Sequence, residues 1–162
     1  MRPFINPQQK ILTENNLQQK LNDWRSSGKT IAFTNGCFDI LHSGHIASLN
    51  AAAQEADLLL VGLNADDSVK RLKGPDRPLN NEQARALLLA SLYVVDGVII
   101  FSEDTPLEII NIIKPDVLVK GGDYTIETIV GAKEVIANGG RVVINPVVPG
   151  FSTTSLINKI KT

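Results

Sequence analysis

Apolar positions recur along this chain in two rhythms. Between residues 11 and 24, Ile11, Leu17, Leu21 and Trp24 stand among polar residues at roughly helical spacing, and Gly28 supplies a stop. A leading helix is predicted there. Short continuous apolar runs follow at residues 31–35, 58–63, 97–101, 116–120 and 141–145, each separated from the next by a stretch long enough for a helix. Runs that are apolar on both faces suit parallel strands covered by helices on either side, so the pattern predicts an α/β protein with a mostly parallel five-stranded sheet. Two helix starts are readable in detail. Thr105, followed by Pro106 and by Glu108 three positions on, has the form of a capping box, and so has Asn80 with Gln83. The most loop-like stretch is LKGPDRPLN at residues 72–80.

Composition narrows this picture. The chain has 162 residues, 43% of them hydrophobic, which is enough for one sizeable core and makes a single domain over 1–162 the default. A formal net charge of -1 provides no overall field for nucleic acid or an anionic membrane, so any anion recognition must be local. The longest apolar runs are far too short to span a bilayer. Cys37 is the only cysteine, which excludes an intrachain disulfide, and the first residues lack the apolar core of a secretory signal; a cytoplasmic location is expected.

Candidate chemistry gathers where the first strand gives way to a helix, in FTNGCFDILHSGH at residues 33–45. This stretch holds both histidines, His42 and His45, with Gly44 between them to let a ligand approach the backbone. The carboxyl edge of an open α/β sheet is where ligands bind, and a helix start offers free N–H groups to phosphate. A packed pair and a zinc site are the competing accounts of the histidines; zinc would need Cys37 plus carboxylates to complete its shell. The position at a helix start favours phosphate.

The stretch GCFDILHSGH matches the G-x-F-D-x-x-H-x-G-H pattern of the cytidylyltransferase-like nucleotidyltransferases, and the chain resembles their heptose 1-phosphate adenylyltransferase branch from about Gly28 to Ile160. The resemblance also runs through VGLNADDSVKRLKGPDRP, EDTPLEII, KPDVLVKGGDY, VGAKEV and PGFSTT. It implies a Rossmann-like three-layer α/β/α fold, with residues 1–28 as an N-terminal helical extension and 29–162 as the catalytic core. The implied reaction is attack by a sugar 1-phosphate on the α-phosphorus of ATP, with release of pyrophosphate. A phosphate monoester has a second pKa of about 6, so its oxygen needs no general base. The enzyme must instead align two anions and donate to the charge that builds during transfer.

By this resemblance His42, His45 and Lys73 are catalytic, and the nucleotide is bound by Thr34, Asn35, Gly36, Cys37, Phe38, His42, Gly44 and His45. Lys120, Gly121 and Asp123 after the fourth strand, and Gly150, Ser152, Thr153 and Thr154 at the last helix start, complete the nucleotide contacts. Asp39, Asp66, Lys73, Arg77 and Arg85 are the expected substrate-binding residues. Asp66 reads equally as a helix cap, and Arg85 as catalytic or structural. Val147 stands where the glycerol-phosphate cytidylyltransferases have arginine, a departure that fits the heptose branch. Magnesium is expected to come with ATP, without a dedicated protein cage. A homodimer is expected, and a separate heptose kinase upstream. The alternatives are a cytidylyltransferase for glycerol 3-phosphate or another small phosphate, and a non-catalytic nucleotide-binding regulatory module.

Overall fold

The computed structural model describes residues 5–146 together with Thr153, Leu156, Ile157 and Lys159. Its centre is a six-stranded sheet of β1 (Ile11–Leu12), β2 (Ile31–Gly36), β3 (Leu58–Asn64), β4 (Gly97–Phe101), β5 (Val117–Gly121) and β6 (Arg141–Asn145). The order across the sheet is β1-β4-β3-β2-β5-β6, and every pairing is parallel. The expected five strands are all present. The sixth, β1, pairs Ile11 and Leu12 with Val98 and Ile99 at the edge of the sheet. Two residues are too few to leave a strand rhythm, so the sequence pattern merged them with the helix that follows.

Between the strands lie α1 (Glu14–Ser26), α2 (Ser43–Ala53), α3 (Asp66–Lys73), α4 (Glu82–Ala90), α5 (Leu107–Ile113) and α6 (Ala132–Ala137). Alternation along each strand sends side chains to two cores. Ile31 and Phe33 of β2 and Leu60 of β3 meet Leu17 and Leu21 of α1, Ile109, Ile110 and Ile113 of α5 and Val135 of α6. Ala32, Leu59, Val61 and Leu63 turn the other way, onto Leu49 and Ala52 of α2 and Ala86, Leu89 and Ala90 of α4. The result is the three-layer arrangement expected of apolar parallel strands. The segment read as an N-terminal extension thus contributes an edge strand and two core leucines. Arg25 near the end of α1 also donates to the carbonyls of Ile113 and Lys114, satisfying the open end of α5. No described helix is long and apolar enough to cross a membrane.

Both cap positions shift by one residue. Helix α4 is capped by Asn81, whose side chain accepts from the Ala84 N–H, while Asn80 is used elsewhere. Helix α5 begins at Leu107 with Pro106 at its cap position and no side-chain cap from Thr105.

The strand order determines where a ligand can sit. From β2 the chain steps through β3 to β4 on one side, then crosses over to β5 and β6 on the other. The carboxyl ends of β2 and β5 therefore diverge at a switch point, and the crevice between such ends is the standard ligand position in open α/β sheets.

Candidate active site

A cleft of about 830 Å³ opens at that switch point. Its floor is Asn35, Gly36, Cys37, Phe38 and Asp39 at the end of β2, with Asn64 from β3 and Lys120 and Gly121 from β5. His42, Gly44, His45 and Ser48 line it from the start of α2, Lys73 from the end of α3, Arg77 from the loop that follows, and Thr153 from the chain's last part.

The turn out of β2 is tight. Phe38 adopts a left-handed backbone with φ 45°, and a Cβ on Gly36 would stand 3.0 Å from the Phe38 ring, so glycine lets the ring fold back. That ring meets His45 with centroids 5.2 Å apart at 60°. His42 is the N-cap of α2: its Nδ1 accepts from the His45 N–H at 3.3 Å. The two imidazoles stack, with centroids 3.8 Å apart and planes 19° apart.

Burial, more than stacking, decides their charge. Burial pulls His45 down to about 4; the neighbouring His42 adds to that, and the Ile40 backbone opposes it. Burial also lowers His42. Both rings are therefore neutral at pH 7, and two cations at this separation would repel. With its Nδ1 accepting, the neutral His42 ring carries its proton on Nε2. Among the described residues the buried Nδ1 of His45 has no hydrogen-bond partner. The pair thus forms a polar helix start without a fixed cation, and an arriving phosphate would favour protonation.

Positive charge comes from the opposite walls. Lys73 ends α3 and Arg77 follows in the loop. Lys120, on β5, sits with its ammonium 5.7 Å from the centre of the Tyr124 ring, and burial lowers its pKa against the partial support of Cys37. Cys37 itself has its thiol pushed up by burial, while Lys73, Arg85 and Arg77 pull it down and Asp39 pushes it up. Nothing there produces a reactive thiolate.

Several expected site residues have different surroundings. Asp39, expected to meet substrate, spends its carboxylate inside the protein: Oδ2 accepts from Arg77 Nε at 2.6 Å, and Oδ1 accepts from the N–H groups of Leu79 at 2.8 Å and Asn80 at 3.0 Å. Arg85 does not line the cleft. Fully buried, it donates to the carbonyls of Asn80, Cys37 and Asn64 at 2.9, 2.7 and 2.8 Å and to Asp66 Oδ1 at 2.7 Å. Asp66 is accordingly Arg85's partner at the start of α3, and its own N–H donates to Glu82. Thr34 is buried within β2 and Asp123 is exposed; neither lines the cleft. Thr153 donates weakly to the Ile40 carbonyl at 3.4 Å. Gly150, Ser152 and Thr154, like Val147, lie outside the described residues.

The pattern reading missed an apolar wall. Leu118, Tyr124, Ile129 and Val130 flank the cleft beside Lys120, a place for a flat, partly apolar group such as a base. Its members are separated in sequence and come together through β5 and the short helical turn Ile126–Thr128. Asn64 was missed too, although a polar residue ending an apolar strand is a readable signal. Its side chain donates to Ser68 Oγ, which donates to the Glu103 carbonyl and so ties α3 to the loop after β4.

Fold and site together define a three-layer α/β protein with a polar cleft at a sheet switch point. The chain belongs to the cytidylyltransferase-like family, a family of nucleotidyltransferases, whose model matches residues 33–159. It is 62% identical over 139 residues to the bifunctional protein HldE of Hyphomonas neptunium, a match covering 86% of this chain. It spans only 29% of that relative's length. Among solved structures it is similar to a lipopolysaccharide core biosynthesis protein from Thermoplasma volcanium, 30% identical with a TM-score of 0.60, covering 75% of this chain and 98% of the other. The fold is also that of a pantoate-beta-alanine ligase from Francisella tularensis, 20% identical with a TM-score of 0.61 over 93% of this chain and 76% of the ligase.

Proposed function

We propose that this chain transfers an adenylyl group from ATP to D-glycero-β-D-manno-heptose 1-phosphate, giving ADP-heptose and pyrophosphate. The observation that carries the reading is the stacked, neutral His42–His45 pair at the start of α2, facing Lys73, Arg77 and Lys120 across one cleft. The family assignment supports nucleotidyl transfer. The heptose and the adenine rest on the sequence resemblance. The lipopolysaccharide core biosynthesis role of the Thermoplasma relative agrees with a surface-glycan precursor as product.

In this reading the triphosphate lies against the start of α2, where backbone N–H groups and the two imidazoles meet its oxygens. The sugar phosphate approaches from the side of Lys73 and Arg77, and its oxygen attacks the α-phosphorus while pyrophosphate leaves. No side chain has to remove a proton from the nucleophile. His42 and His45 donate to charge developing on the transferring group, where one well-placed donor is worth about 3 kcal/mol. The base lies along Leu118, Tyr124, Ile129 and Val130.

Magnesium belongs to this proposal as a companion of ATP. Among the described residues no group of three or more His, Cys, Asp or Glu side chains is placed to hold a metal. The Asp39 carboxylate is already saturated by protein donors, and Asp104 at the rim pairs with Arg71. That donor set fits an ion held mainly by phosphate oxygens and water, which screens the triphosphate when bound. A homodimer, a cytoplasmic location and a kinase activity supplying the sugar phosphate complete the proposal. The test is pyrophosphate release from the purified protein with the four nucleoside triphosphates against heptose 1-phosphate, other sugar 1-phosphates and glycerol 3-phosphate. Release confined to CTP with glycerol 3-phosphate would replace the proposed substrates, and none with any pair would point to a regulatory nucleotide-binding module.

A further inference from the structure

The loop from Gly74 to Asn80 is held from beneath by one buried side chain. Asp39 is 1% exposed at its side chain and Arg77 16%. The Asp39 carboxylate accepts from the Arg77 guanidinium and from two consecutive backbone N–H groups, and the Asn80 side chain donates to the Asp39 carbonyl at 2.8 Å. Four donor groups thus join the turn after β2 to a loop about forty positions away, at the floor of the cleft. Burial alone would raise the Asp39 carboxyl, but the N–H groups of Asn80 and Leu79 and the guanidinium of Arg77 hold it below the usual carboxylate range. It stays charged, and all of that charge is directed at the loop.

The clasp engages Arg77 through Nε, and the terminal nitrogens of Arg77 make no hydrogen bond among the described residues. Lys73, at the other end of the bend, has no ion pair there either. Both residues line the cleft. A guanidinium fixed through Nε can still present its outer edge to two oxygens of a phosphate, the geometry in which arginine discriminates best.

We infer that Asp39 is a positioning residue: it clasps the 74–80 loop so that Arg77, and Lys73 beside it, meet the phosphate of the second substrate, and Asp39 itself touches no substrate. The inference deepens the proposed function and rests on it for the identity of that phosphate.

Asp39→Asn tests it. The amide keeps an oxygen for the Leu79 and Asn80 N–H groups but sets an N–H donor against Arg77 Nε. The expected result is a KM for the sugar phosphate raised about tenfold or more with kcat within about threefold. Trypsin cleavage after Lys73 should also quicken, because the loop is loosened. In an Arg77→Ala background the same substitution should raise KM by less than about twofold, since its effect passes through Arg77. Asn80→Ala removes one bond of the clasp without disturbing the buried carboxylate, and should move KM and cleavage in the same directions even if Asp39→Asn does not fold. A full KM penalty in both backgrounds with unchanged cleavage would overturn the inference and make Asp39 a direct substrate contact. If the wild-type protein transfers no nucleotide at all, the functional reading fails separately, and unchanged cleavage in Asp39→Asn and Asn80→Ala would then reject the clasp.

Discussion

Arg85 offers the sharpest structural prediction, because the same residue can be read as catalytic or as architectural. Its guanidinium is fully buried and joins the end of β2, the end of β3, the loop before α4 and the start of α3, through Cys37, Asn64, Asn80 and Asp66. Substituting Arg85→Met keeps most of the volume and removes every donor. Three carbonyls then lose a charge-assisted partner and Asp66 loses its counter-charge. Removing one partner of a buried ion pair costs about 3–5 kcal/mol. The Asp66 side chain is 29% exposed and can recover some hydration, which places the expectation near the lower end, at about 3 kcal/mol. With a urea slope of about 2 kcal/mol/M, the unfolding midpoint should fall by about 1.5 M. Equilibrium urea unfolding followed by circular dichroism measures it. Arg85→Lys, which can satisfy one or two of the four acceptors, should fall between. A destabilisation below about 1 kcal/mol together with a large loss of turnover would refute this reasoning and make Arg85 a substrate contact.

Three further expectations follow from the site and the core. His45→Ala should lower kcat about a hundredfold with the fold intact, whereas His42→Ala should also cost about 1 kcal/mol of stability because it uncaps α2, a loss His42→Asn should largely restore; steady-state turnover and thermal melts separate the two effects. His45 sits at about 4 against an unfolded value of 6.5, so the unfolded chain takes up the proton first as pH falls. Its stability contribution is whole above about pH 6.5 and drains towards pH 4; the full gap corresponds to about 3 kcal/mol, which solvent around the half-buried ring reduces to about 1–2 kcal/mol. In thermal melts between pH 7.5 and 4.5 the wild type should therefore lose stability relative to His45→Gln as pH falls, and parallel curves would contradict the assignment. In the core, a Cβ on Gly62 would stand 2.6 Å from Phe33 Cζ, so Gly62→Ala should lower stability by about 1–3 kcal/mol, read from the shift in melting temperature.

The fold was largely legible because parallel strands buried on both faces leave continuous apolar runs, as at residues 58–63 and 97–101. What escaped was local. Ile11 and Leu12 become a strand only because β4 offers them a partner, and nothing in two residues announces that. Asn80 and Asn81 are interchangeable as caps on paper; the Asp39 carbonyl claims the first and leaves the second to α4.

The place of the cleft was legible for the same reason as the strands, since glycine and polar residues stop each run at the carboxyl edge. Individual roles were less so. Asp39 looks like a substrate ligand because it follows a strand, and only its bonds to a loop thirty-eight or more positions away assign it inward. Arg85 and Asp66 look like two polar site residues and form one ion pair around a buried guanidinium. The wall of Leu118, Ile129 and Val130 resembles ordinary core in sequence and faces the cleft through the turn after β5. Long-range pairing decides each case, and pattern reading does not contain it.

The central claim is adenylyl transfer at the His42–His45 cleft. Its most direct measurement is 31P NMR of the purified protein incubated with ATP, magnesium and D-glycero-β-D-manno-heptose 1-phosphate. Pyrophosphate and the diphosphate resonances of ADP-heptose should appear together in equal amounts, each set lost when either substrate is omitted. Folded protein that leaves both substrates unchanged, or releases pyrophosphate without forming the sugar nucleotide, would contradict it.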